Sequence, residues 1–180
     1  MRTLLLAVAC AFLALVLFDT SDVSAQKKKK KDEDAPTPRK EDVPKLLKML
    51  KSSTAKDRAL AADQLGRLGQ IQLMYVKDAI DPLLELLKRD ADSGVRRASA
   101  EALGKIAPDP EKTVPALSDA LKDKNIEVGL AAVTALGRFG PEAKDAVPAL
   151  REFNKTKGGD KKTAQVVNAA IKEITGKKKG

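Results

Sequence analysis

From Asp42 to about Ile174, apolar residues recur at steps of three and four. That is the period of an amphipathic helix, not the alternation of a half-buried strand, and alanine and leucine outnumber β-branched residues. Four segments line up within this stretch: VPKLLKML from Val43, DPLLELLK from Asp81, VPALSDAL from Val114 and VPALREFN from Val147. Each carries an early proline, Pro44, Pro82, Pro115 and Pro148, at spacings of 38, 33 and 33 residues. Proline suits a first helical turn, where its missing amide hydrogen would have had no partner. Asp42, Asp81, Thr113 and Asp145, just ahead of these prolines, are the expected N-caps.

A polar break and a second apolar helix follow each of these segments: RALAADQLGRLG from Arg58, RRASAEALGKIA from Arg96, GLAAVTALGRFG from Gly129 and TAQVVNAAIKEIT from Thr163. The pattern predicts an all-α chain, a right-handed alpha-solenoid of about four helix pairs, with units near 42–77, 78–112, 113–144 and 145–176. Leu65-Gly66, Leu103-Gly104 and Leu136-Gly137 fall at one place in their units. A glycine inside a helix costs about 1 kcal/mol against alanine, so its recurrence there marks a site where a neighbouring helix comes close.

These units resemble the short HEAT-like repeats of phycobilin lyase-type proteins. The second unit carries the pattern most fully, in Pro82, Leu83, Leu87, Val95, Arg96, Ala100, Ala102, Leu103, Gly104 and Ile106. The first unit departs from it with Asp57-Arg58 and a longer loop at 69–78, the third with Val128-Gly129. The fourth lacks the Leu-Gly pair and carries an insert at 157–160. The resemblance implies that second helices line a concave face and that Arg96 is a structural bracket between repeats.

Outside the repeats the composition changes. Leu4 to Phe18 form an unbroken apolar run after Arg2, and Val23-Ser24-Ala25 offers small residues to a signal peptidase. Fifteen apolar residues span only about 22 Å as a helix, short of the roughly 30 Å hydrocarbon core. Residues 1–25 are therefore expected to be a signal peptide cleaved after about Ala25, which places the product in the periplasm or outside the cell with no stable membrane span. Residues 26–41, rich in lysine and proline with almost nothing apolar, read as a disordered linker, and 177–180 as a basic tail.

Charge and chemistry narrow the functions. The formal charge of +9 rises to +10 once Arg2, Asp19 and Asp22 leave with the leader. The sole cysteine, Cys10, leaves too, and the chain has no histidine or tryptophan. That removes Ser-His and Cys-His catalysis and zinc sites built on nitrogen and sulfur. No catalytic, cofactor or metal residue is expected. Asp63 with Arg67 and Glu101 with Lys105 read as i to i+4 surface pairs, and Asp90 and Asp92 as turn-formers.

Arg67, Lys105 and Arg138, each directly after the Leu-Gly pair, would stack into a basic row on the concave face. With Arg97 and Tyr75 they form the candidate partner-binding set. The expected function is a non-catalytic interaction scaffold for a protein partner, acidic proteins being among the candidates. The alternatives are a lyase-like handler of a cofactor or chromophore, which the resemblance implies, and an electrostatic binder of nucleic acid or an anionic envelope polymer.

Overall fold

The computed structural model describes residues 38–176. The expected leader at 1–25, the linker up to residue 37 and the tail at 177–180 lie outside them. Among the described residues eight α-helices alternate in pairs: α1 (Val43–Met49) with α2 (Ala55–Ile71), α3 (Ile80–Arg89) with α4 (Ser93–Ile106), α5 (Pro110–Ala120) with α6 (Ile126–Phe139), and α7 (Val147–Lys157) with α8 (Lys161–Thr175). The second helices α2, α4, α6 and α8 stack in sequence, each against the next, and the first helices cover them. This is an alpha-solenoid of four helix pairs. The fourth pair is complete despite its departures from the repeat pattern. Among the described residues no helix is long and apolar enough to cross a membrane.

Helix entry differs from the sequence expectation. The second helices carry the side-chain caps: Thr54 accepts from the Asp57 amide, Asp92 from Val95, Asn125 from Glu127, and Asp160 from Lys162 and Thr163. Asp42, Asp81, Thr113 and Asp145 cap nothing at the starts of α1, α3, α5 and α7. Three of those helices are entered through 3-10 segments, Lys40–Asp42, Leu73–Ala79 and Gly140–Ala146, whose coil already leads into the helix. The remaining one, α5, starts five residues before Pro115, where Asp109 accepts from the Glu111 amide and Pro110 takes the first position. Thr113 is thereby a fully buried residue inside α5, and Pro115 lies in the helix interior. Of the four repeat prolines, only Pro44 and Pro148 sit at the first or second position of their helices.

The glycines do what their recurrence implied. A Cβ on Gly66 would lie 2.8 Å from the Ala102 Cα, and one on Gly104 would lie 2.6 Å from the Ala135 Cβ and 2.7 Å from its Cα. One on Gly137 would meet Ala170 at 3.2 Å. Each junction thus seats a glycine of one second helix against an alanine of the next. In the same register the first unit presents Gln64 where later units present that alanine, and the fourth presents exposed Lys172 where earlier units present that glycine. The close approach therefore occurs between units and is not offered by the outward sides of α2 and α8.

A second device ties the loops together. Arg58 donates from Nε and Nη2 to both carboxylate oxygens of Asp90, at 2.7 and 2.8 Å, and from Nη1 to the carbonyls of Ser52 and Ser53. Arg96 repeats this one unit on, holding Asp123 at 2.7 and 2.9 Å and the carbonyls of Asp90 and Ala91. Arg96 is the expected bracket between repeats. Arg58 is another, and Asp90 and Asp92 shape the turn, one as clamp partner and one as cap. At the third junction the corresponding residue is Gly129, where a Cβ would fall 2.5 Å from the ring of buried Phe153. There an aromatic contact replaces the ion pair, and Lys157 Nζ donates to the Asp123 carbonyl at 3.2 Å.

Two outcomes follow from these junctions. Gly104→Ala should lower the unfolding free energy in urea by about 1–3 kcal/mol through overpacking. Gly137→Ala should cost less, because 3.2 Å leaves room for a small shift and alanine recovers about 1 kcal/mol of helix propensity. Equal midpoints for the two variants would contradict the graded approach.

The clamps also set a pH dependence. The hydrogen bonds from Arg58 and Arg96 hold the carboxyls of Asp90 and Asp123 below the ordinary aspartate range. A carboxylate lowered in the native state stabilises it fully above its unfolded pKa, roughly pH 4, and the contribution disappears as pH falls through the native value. Removing one partner of such a largely buried pair costs about 3 kcal/mol. Arg96→Met should therefore be less stable than the parent by about that amount at neutral pH. Urea titrations should show the two proteins converging as pH drops below roughly 4; a gap that stays constant to low pH would mean the pair contributes nothing through Asp123.

Candidate functional site

The four second helices place equivalent residues in rows across the inner face, and the rows explain its character. The row after the close-approach position reads Arg67, Lys105, Arg138 and Glu173. One turn earlier it reads Asp63, Glu101, Thr134 and Ala169, and one turn before that Ala59, Arg97, Leu130 and Gln165. Charge is concentrated on α2 and α4 and gives way to small and apolar side chains on α6 and α8.

Within the charged half the carboxylates are already engaged. Lys105 Nζ donates to Asp63 Oδ1 at 2.7 Å, its side chain crossing the open space over Gly66. Arg97 stands 3.8 Å from Glu101. The expected pairs within one helix, Asp63 with Arg67 and Glu101 with Lys105, are not the ones formed. Helices brought together by a Gly-Ala contact put a lysine within reach of the neighbouring helix's acid, and that acid is bound instead. Among the described residues Arg67 and Arg138 make no ion pair; Arg67 is half-buried and Arg138 exposed.

The other half forms a groove. A cavity of about 350 Å³ runs between α4, α6 and α8, with Leu130, Ala131, Ala135 and Val166 in its floor and Arg97, Lys105 and Arg138 among its rim residues. It continues into a space of about 510 Å³ over α6 and α8, edged by Arg138 and Glu173 and lined by Thr134, Val166, Ala169 and Ala170. Glu101 and Glu127 join the rim of the first. The three basic rim residues are thus matched by three acids, Glu101, Glu127 and Glu173.

Of the five candidates, three meet in this groove: Arg97, Lys105 and Arg138. Arg67 lies one unit away from it. Tyr75 is elsewhere, half-buried against the core in the 3-10 segment Leu73–Ala79, with Lys40 Nζ 5.2 Å from its ring centre. The sequence reading passed over the floor residues Leu130, Val166 and Ala169. For Leu130 and Ala169 the signal was present, since each occupies a row whose charged members had been singled out; Val166 falls in the row of Leu60, Ala98 and Ala131, which carries no charge.

Residues 43–112 and, overlapping them, 80–169 match the family model for HEAT repeats. The chain belongs to the HEAT repeat family. Comparison with curated protein sequences gives no match. Among solved structures, this HEAT repeat protein is similar to a designed armadillo repeat protein in complex with the peptide (KR)4, at 20% identity and a TM-score of 0.60, covering 77% of this chain and 70% of that one. It is similar also to two engineered proteins, at 24% and 26% identity with TM-scores of 0.58 and 0.59. In both cases 74% of the HEAT repeat chain is covered, and it spans only 62% and 63% of theirs. These likenesses establish the solenoid fold.

A double-mutant cycle tests the pairing between helices. Asp63→Asn with Lys105→Met should give a coupling of about 0.5–1 kcal/mol in unfolding free energy. Asp63→Asn with Arg67→Met should give about none; the reverse order would restore the pairing within one helix.

Proposed function

We propose that this HEAT repeat protein is a non-catalytic scaffold, exported from the cytoplasm, that docks a protein partner in the groove over α4, α6 and α8. The observation that carries the reading is the groove's composition: an apolar floor under a rim whose bases and acids are equal in number. A protein surface offers apolar side chains and both signs of charge together. A nucleic acid or anionic polymer is served by a track of one sign, with aromatic platforms where single strands stack, and this groove has neither.

That a designed armadillo repeat protein of similar fold is described in complex with a peptide supports a polypeptide occupant. The phycobilin lyase-type resemblance extends the same scaffold to chromophore handling, but no observation in the groove favours that second role. Export rests on the apolar run from Leu4 to Phe18 and the small residues ending at Ala25.

A photo-crosslinking side chain at exposed Thr134 in the groove, compared with one at exposed Lys112 on α5, tests the surface in the cell of origin. Thr134 should give a discrete protein adduct, lost when Arg97 and Arg138 are both changed to glutamate, and the recovered protein should begin at Gln26. Adducts to nucleic acid or polymer at Thr134, or protein adducts only at Lys112, would reject the groove as the docking surface. An N-terminus still at Met1 would reject export separately.

A further inference from the structure

The bases and acids around the groove balance in number but not in engagement. Lys105 is held by Asp63 at 2.7 Å, and Arg97 stands 3.8 Å from Glu101. Arg138 is exposed and has no ion pair among the described residues, and neither have the exposed acids Glu127 and Glu173.

The register of the repeats explains why Arg138 is left over. Lys105 crosses Gly66 to reach an acid one turn earlier on the preceding helix, its Cδ passing 3.4 Å from where a Gly66 Cβ would stand. The equivalent partner of Arg138, across Gly104, is Glu101. That crossing is not made: the three atoms nearest a Cβ on Gly104, out to 3.7 Å, all belong to Ala135. The difference lies one turn further back, where α2 has Ala59 and α4 has Arg97. Asp63 meets no base at that position on its own helix and turns to the next unit, whereas Glu101 meets one and stays.

Arg138 also stands where the two spaces of the groove meet. It lines the one of about 350 Å³ together with Leu130 and Ala131, and the one of about 510 Å³ together with Ala169 and Ala170. A guanidinium between two apolar spaces offers its fork of donors to a carboxylate whose own neighbours on both sides are apolar.

Resting on the reading of this groove as a docking surface, we propose that Arg138 is its anchor. The partner enters as a segment of polypeptide with a single internal aspartate or glutamate, flanked on each side by an apolar residue. A chain-terminal carboxylate would have polypeptide on one side only and leave one of the two spaces unfilled. A run of acids would be repelled by Glu127 and Glu173 at the rims. A lone internal acid meets the unengaged base, and its neighbours cover the floor.

Random peptides displayed on phage and selected on the full chain read this preference directly, with those whose capture Thr134→Trp abolishes scored as groove-bound. Thr134 is exposed and lines both spaces, so that substitution fills the groove without entering the core. Groove-bound peptides should share one aspartate or glutamate between apolar residues, and selection on Arg138→Glu should replace that acid with lysine or arginine. For one such peptide made synthetically, Arg138→Met should weaken binding about tenfold or more. Arg97→Ala should weaken it about two- to fivefold by releasing Glu101 to Arg138, and adding Glu101→Gln should restore the affinity. Groove-bound peptides without a shared acid, or the same peptides on Arg138→Glu, would overturn the anchor and leave the groove standing as a docking surface. A loss from Arg97→Ala that Glu101→Gln does not restore would make Arg97 the anchor instead. Capture of no peptide that Thr134→Trp abolishes would overturn the anchor and the groove together.

Discussion

The closeness with which consecutive second helices approach one another governs the rest of this structure. A glycine set against an alanine lets the backbones of α2 and α4, of α4 and α6, and of α6 and α8 come nearer than larger side chains allow. The equivalent residues of successive units then fall into rows, and the inner face takes its chemistry from whatever those rows contain. The same approach puts Lys105 across Gly66 and within 2.7 Å of Asp63. An interaction that looks like surface electrostatics is a consequence of a missing Cβ.

The junctions are alike in backbone and unlike in chemistry. Arg58 and Arg96 each grip a carboxylate in the following unit and two carbonyls in their own, so a single guanidinium satisfies loop groups that the helices leave unpaired. At the third junction Gly129 removes the guanidinium and Phe153 takes the space. The exchange is internally consistent: without an arginine, a carboxylate in the next loop would be an unpaired partly buried charge, and Thr156 stands where Asp90 and Asp123 stand earlier. The first two junctions are therefore sensitive to acid through their clamps, and the third has no corresponding carboxylate.

Much of this was legible in the sequence because it repeats. The Leu-Gly pairs, the alanine-rich second helices and Arg96 all recur or match at fixed spacing, and each serves the close packing or bracing that its recurrence implied. What was not legible depended on competition between equivalent local signals. Asp109-Pro110 and Thr113 ahead of Pro115 both resemble a helix start, and only the folded chain, which buries Thr113, selects the first. Lys105 has an acid four residues before it and another across the junction, and one-dimensional spacing ranks the wrong one first. Arg58 was obscured because Asp57 replaces the valine expected beside it. That aspartate instead accepts from Ser52 Oγ while its amide donates to Thr54, and the arginine keeps its role.

The distribution of satisfied groups constrains where association can occur. On α2 and α4 the inner face spends its acids on internal contacts, Asp63 with Lys105 and Glu101 with Arg97, so a partner docking there would have to displace bonds already made. On α6 and α8 the floor is apolar and Arg138 is unpaired among the described residues, so binding there adds contacts without breaking any. The outward sides of the array offer no continuation of the stacking, since a helix laid against α2 would meet Gln64 in place of alanine and one laid against α8 would bring its alanine against Lys172. With both of these surfaces disfavoured, the groove over α4, α6 and α8 is the surface that combines an apolar floor with the unengaged charge of Arg138.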